Sequence, residues 1–209
     1  MTEQVIEDSK RLTLTETVRN RAQGILKAPA AFLNRLGIMP NSVTLFGLVG
    51  NTVAAYFLAR GELLIGGLLV LVMGPIDALD GAMARLRGEP SEFGAFVDSV
   101  TDRYSELVIF GGLVFYYLTL GEWLPAFLAY LSASGSVLVS YVRARAQSVG
   151  RDSKAGLLSR FERYLVLVPA LIFNLPVVGL WILAIFTNIT AVQRIIDVRK
   201  QFKKNLPIT

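Results

Sequence analysis

The chain has 209 residues, of which 53% are hydrophobic, with a mean hydropathy of +0.52 and a formal net charge of +5. Several apolar segments reach about 20 residues, enough to cross a hydrocarbon core of about 30 Å, so composition points to a polytopic membrane protein. There is no cysteine and no histidine, which excludes disulfides, thiolate nucleophiles and zinc–thiolate sites and leaves proton transfer near neutral pH to carboxylates, tyrosine, lysine or metal-bound groups.

In chain order, the stretch from Met1 to Pro29 is too polar before its first apolar run for a cleaved signal peptide. Within residues 1–38, Val18, Ala22, Ile25, Leu26, Phe32 and Leu33 are spaced for one apolar face, with Arg19, Arg21 and Lys27 beside it. This predicts an amphipathic helix lying on the membrane surface. Residues 39–204 read as an all-α transmembrane domain of six helices, and 205–209 as a tail. The first membrane helix starts after Pro40-Asn41 and ends near Ala59, and the second covers Leu63 to Arg87. The third starts at Ser91, an acceptable N-cap, and reaches Leu120. The fourth spans Trp123 to Ser148, the fifth Ser159 to Phe173 and the sixth Val177 to Phe202, with Pro176 marking the last turn. No internal repeat or low-complexity tract interrupts them.

The stretch Asp77 to Asp102 breaks this apolar pattern. An ionised Asp near a bilayer centre costs roughly 2.5–3.5 kcal/mol even on lenient insertion scales, so carboxylates there need partners. Asp77 and Asp80 are i,i+3 on one helix face, and Asp98 and Asp102 are i,i+4 on another. Gly88-Glu89-Pro90 lies between the pairs and predicts a reversal. In an antiparallel hairpin the four carboxylates meet at two matched levels, roughly 13–20 Å from the turn at about 1.5 Å per residue. Gly81, Ala82, Ala84, Gly94 and Ala95 predict that the two backbones approach closely. Solvation, or pairing with Arg85, Arg87 and Arg103, is the plainer account of any one Asp. Four at matched depth point instead to a cation, and hard oxygen ligands suit Mg²⁺ or Mn²⁺. The economical reading is a two-metal site that clamps a phosphate or diphosphate.

Of 21 Lys and Arg residues, only Arg60 falls on the side of the 1–2, 3–4 and 5–6 turns, leaving 20 on the other side. The positive-inside tendency makes that side cytoplasmic, together with both termini and the mouth of the carboxylate hairpin, in a multi-pass protein of the cell membrane. The positive charge suits an anionic membrane surface, and no nucleic-acid module accompanies it. Further basic residues stand out near the ends of later helices: Arg143 in Ser140-Tyr141-Val142-Arg143-Ala144-Arg145, Arg160 and Arg163 in Arg160-Phe161-Glu162-Arg163, and Arg194 after the run Trp181 to Val192. Guanidinium forks suit phosphate recognition. Arg194 in particular should point into a wet cavity rather than lipid.

Asp77-x2-Asp80-Gly81-x2-Ala84-Arg85-x8-Gly94-x3-Asp98-x3-Asp102 resembles, without departure, the motif of the CDP-alcohol phosphotransferase family of integral membrane enzymes. The resemblance implies two Mg²⁺ or Mn²⁺ ions, one held by Asp77, Asp80 and Asp98 and the other by Asp77, Asp98 and Asp102, with Asp102 also the general base. It implies that Gly81, Arg85 and Ser91, with Asn41, Ser42, Val43 and Thr44, contact a CDP-lipid such as CDP-diacylglycerol. Within the family, the arginine stretches are similar to those of actinobacterial phosphatidylinositol phosphate synthases. That similarity implies that Arg143, Arg160, Arg163 and Arg194 hold the phosphate of inositol phosphate. Arg143 replaces the lysine of that pattern and Phe161 its proline. The expected reaction transfers phosphatidyl from CDP-diacylglycerol to inositol phosphate with release of CMP, in a homodimer. The rivals are phosphatidylglycerophosphate synthesis, another head-group acceptor, a divalent-cation or proton transporter and an inactive scaffold. A single hairpin holding all four acids, beside arginines suited to an anion, disfavours the transporter. The intact motif disfavours the scaffold.

Overall fold

The computed structural model describes residues 14–88, 91–153 and 155–204. Among them are seven helices and no strand: α1 Leu14–Arg35, α2 Pro40–Ala59, α3 Leu63–Arg87, α4 Glu92–Thr119, α5 Trp123–Ser148, α6 Arg160–Ile172 and α7 Pro176–Lys204. Their bounds follow local chemistry. Pro40 opens α2 at a position where a missing N–H costs nothing. Ser91 caps α4 by accepting the Gly94 N–H at 2.9 Å, and Gly88 closes α3 in the left-handed conformation. Asn174 closes the α6–α7 turn at φ 58°, the only non-glycine residue with positive φ among those described. The reversal expected at Glu89-Pro90 lies outside the described residues.

Four helices, α2, α3, α5 and α7, are long and apolar enough to cross a membrane. α4 has the length, 28 residues, but carries Glu92, Asp98, Asp102, Arg103 and Glu106 toward its N-terminal end. α6 has 13 residues, about 20 Å of helix. The main core joins α2 to α7 around Leu58, Leu113, Leu171, Leu180 and Leu183. A smaller core of Ala30, Val43, Ala82 and Met83 fastens α1 across α2 and α3, with Leu26 and Leu33 packed on it. Phe32, expected on that face, is 61% exposed. It stands six positions after Leu26, on another side of a helix with 3.6 residues per turn. The side chains of Val18, Ala22 and Ile25 lie outside the described residues.

The hairpin is arranged differently from the sequence expectation. α2 packs extensively on both α3 and α4, which have no comparable packing on each other. The glycines that permit close approach therefore serve α2. A Cβ on Gly112 of α4 would lie 2.4 Å from the Ala55 carbonyl oxygen, and one on Gly66 of α3 would lie 2.5 Å from Leu58. Ala82 faces the smaller core instead, and Ala95 is exposed. Intercalating α2 separates the two backbones and leaves the carboxylates to meet by side-chain reach.

Candidate active site

α3 carries Asp77 and Asp80, α4 carries Asp98 and Asp102, and all but Asp98 are nearly inaccessible, at 9%, 7% and 6% exposure for Asp77, Asp80 and Asp102. Carboxylate oxygens of Asp77, Asp98 and Asp102 all lie within 4.8 Å of one another. Asp80 stands beside this triple: the Thr44 hydroxyl of α2 and the Gly81 backbone N–H of α3 itself both donate to its carboxylate. Gly47 of α2 faces the same centre, for a Cβ there would lie 3.5 Å from Asp77 Oδ1. Three carboxylates this close repel unless a positive charge sits among them. Part of it comes from α6, where the Arg160 guanidinium pairs with Asp77 and lies 2.5 Å from Asp102 Oδ2. Arg103 is 3.6 Å from the same oxygen. Asp102 Oδ1 is buried and makes no hydrogen bond. Oxygen donors without a soft ligand, one of them unsatisfied, fit a hard divalent cation.

Below this centre is a cavity of about 80 Å³ between α2, α3, α4, α5 and α6, whose lining includes Asn51, Asp77, Asp102, Glu106, Ser136 and Arg163. Glu106 follows Asp102 by one helical turn and accepts from Arg163 Nη2 at 2.6 Å. Glu106 Oε2, Ser136 Oγ and Arg163 Nε and Nη1 are buried without hydrogen bonds. The spacing Asp102-x3-Glu106 was the one signal for Glu106 in the sequence. Asn51 and Ser136 carry no comparable spacing signal.

The expected nucleotide contacts divide. Thr44 joins the centre through Asp80. Asn41 comes near the start of α4, its Oδ1 3.6 Å from where a Gly94 Cβ would stand. Arg85 folds back over Gly81, with Nη1 3.2 Å from a Cβ built there. Ser91 is occupied as the α4 cap, Ser42 is exposed, and Val43 packs into the smaller core.

Of the four arginines expected at a phosphate, Arg160 lies instead at the carboxylates. The other three share a neighbourhood, with Arg143 and Arg163 among the charges acting on Arg194. Arg143 Nε is 3.1 Å from Asp152, and Arg163 is 5% exposed and paired with Glu106. Arg194, also 5% exposed, donates to the carbonyls of Ala155 and Val139 at 3.0 and 2.7 Å. It thereby ties α7 to α5 and to the loop before α6.

Comparison with known proteins agrees with this frame. The family model for CDP-alcohol phosphatidyltransferase matches residues 37–193. An archaetidylinositol phosphate synthase of Pyrococcus horikoshii is 33% identical over 187 residues, 89% of this chain and 97% of that one. A phosphatidylinositol phosphate synthase of Streptomyces avermitilis is 37% identical over 194 residues, covering 85% and 79%. Crystal structures of the Mycobacterium tuberculosis phosphatidylinositol phosphate synthase superpose with a TM-score of 0.79 at 30% identity. The one with bound CDP-DAG covers 83% of this chain and 93% of that one, and the one with manganese and citrate 83% and 88%. With the family model matching residues 37–193 and relatives 33% and 37% identical over 89% and 85% of its length, the chain belongs to the CDP-alcohol phosphatidyltransferase family.

Proposed function

We propose that this protein transfers the phosphatidyl group of CDP-diacylglycerol to a hydroxyl of inositol phosphate, releasing CMP. The observation that carries this reading is the convergence of Asp77, Asp98 and Asp102 from two helices, beside an arginine-rich region contributed by α5, α6 and α7. Asp77, Asp98 and Asp102 would hold one divalent ion, and Asp77, Asp80 and Asp98 a second. When bound, such ions neutralise the diphosphate and stabilise CMP as it leaves.

This chain's own residues do the rest. Asp102 accepts the proton of the acceptor hydroxyl as that oxygen bonds to the phosphorus nearest the lipid, and the bond from that phosphorus to the CMP oxygen breaks. Thr44 and the Gly81 N–H orient Asp80. Gly81 and Arg85, with Ser91, Asn41, Ser42 and Val43 around the junction of α2 and α4, form the nucleotide side. Arg143, Arg163 and Arg194 receive the acceptor phosphate, with Arg160 between them and the carboxylates. Six helices, α2 to α7, span the membrane as a homodimer. Their carboxylate ends and both termini face the cytoplasm of a cell-membrane enzyme, since nearly all the basic residues lie at that level.

The test is CMP release from CDP-diacylglycerol with inositol phosphate, inositol and glycerol phosphate as acceptors, with and without EDTA. Release only with inositol phosphate and free divalent cation is expected. Faster release with glycerol phosphate would overturn the acceptor, and release with none would overturn the transferase.

A further inference from the structure

Inside α3, Pro75 has no N–H to offer the carbonyl of Leu71 one turn earlier. That carbonyl is not left unmet. Tyr164 of α6 places its hydroxyl 2.6 Å from Leu71 O, and 3.5 Å from Val70 O. The ring reaches this point because Gly74 leaves a notch: a Cβ there would stand 2.8 Å from Tyr164 Cε2, Cζ and Oη. Seven residues earlier on α3, a Cβ on Gly67 would stand 2.8 Å from Leu171 Cβ. Seven residues separate Tyr164 and Leu171 as well, so two notches on α3 receive two side chains of α6 in antiparallel register. One turn further along the same seam, Asp77 follows Gly74 by three positions and Arg160 precedes Tyr164 by four, and these two form the ion pair.

Apolar packing along a glycine strip is non-directional and tolerates sliding. A hydrogen bond to a single carbonyl does not. We propose that Tyr164 is a positioning residue of the carboxylate centre: its hydroxyl caps the carbonyl freed by Pro75 and sets the register at which α6 delivers Arg160 to Asp77 and Asp102. The proposal rests on the reading of Asp77 and Asp102 as metal ligands.

The test reads Mn²⁺ affinity by electron paramagnetic resonance on the full chain in lipid nanodiscs, with no lipid substrate or acceptor added. Arg160 sets a positive charge against the carboxylates, so Arg160→Gln should bind Mn²⁺ about tenfold tighter, within the range of measured couplings between contacting charges. Tyr164→Phe keeps the ring in its notch and removes only the hydroxyl, and should tighten binding about threefold, as loss of one neutral hydrogen bond implies. In the Arg160→Gln background, Tyr164→Phe should change nothing further. Pro75→Ala returns a donor to Leu71 from within α3 and no bond to α6, so Tyr164→Phe should keep its threefold tighter binding when Pro75→Ala is added. Wild-type affinity in Tyr164→Phe, the same threefold effect in both backgrounds, or recovery of wild-type affinity on adding Pro75→Ala would each overturn the positioning role. Failure of the underlying reading looks different: Mn²⁺ affinity in wild type would be unaffected by Asp102→Asn.

Discussion

The carboxylate centre on α3 and α4 and the arginine region on α5, α6 and α7 carry opposite charge, and they manage it in opposite ways. At the carboxylates, like charges are gathered to within 4.8 Å, and buried Asp102 Oδ1 has no partner. In the arginine region each of these guanidiniums has a partner within the fold. Arg143 meets Asp152, Arg163 meets Glu106, and Arg194 donates to two backbone carbonyls. The first region is built in deficit and calls for a cation. The second keeps one positive charge, on Arg194, without a carboxylate partner among the described residues, and a phosphate must use the donors these contacts leave over, such as Arg163 Nε and Nη1, since a guanidinium has five N–H groups in all.

If that contrast holds, breaking the centre should cost chemistry, and breaking the arginine region should cost stability or acceptor affinity. The largest effect is expected from Asp102→Asn, which keeps the shape but removes a base and a ligand. CMP release should fall about 10³-fold with the melting temperature nearly unchanged. Retained activity would show that Asp102 is not the base. Next, Glu106→Ala leaves Arg163 charged, buried and unpaired, and should destabilise the protein by about 3–5 kcal/mol. Denaturant unfolding in detergent measures this, and a loss under 1 kcal/mol would mean that water reaches Arg163 freely. The smallest is Arg194→Gln. Its acceptor KM should rise about tenfold, the worth of one charge-assisted hydrogen bond, while the CDP-diacylglycerol KM stays within a factor of two. Equal rises in both would merge the two regions into one site.

The carboxylates were legible because both pairs lie within 26 residues and their spacing repeats with the helix. Helix ends were legible for the same local reason: Pro40, Gly88, Ser91 and Asn174 act through their own backbone chemistry. What surrounds the carboxylates was not. α2 is apolar along most of its length and says nothing in sequence of lying between α3 and α4. The place of Thr44 at the start of α2 gives no sign that its hydroxyl donates to Asp80. Arg160 and Arg163 share one short stretch of sequence, yet α6 turns Arg160 toward Asp77 and Asp102 and Arg163 toward Glu106. Residues three apart on a helix differ in direction by about 60°, enough to face different neighbours.

Composition and spacing alone determined that this chain is helical, with apolar segments of membrane length and carboxylates paired for a hard cation, because hydropathy and helical periodicity are properties of contiguous residues. Only the tertiary structure decided which side chains complete that hairpin. Asp80 is held by Thr44 from 36 residues away, and Arg160 reaches Asp77 across 83. Such partners are chosen by how α2 and α6 pack on α3, through glycine notches and one carbonyl freed by a proline. Packing of that kind depends on shape across helices, which no local pattern records.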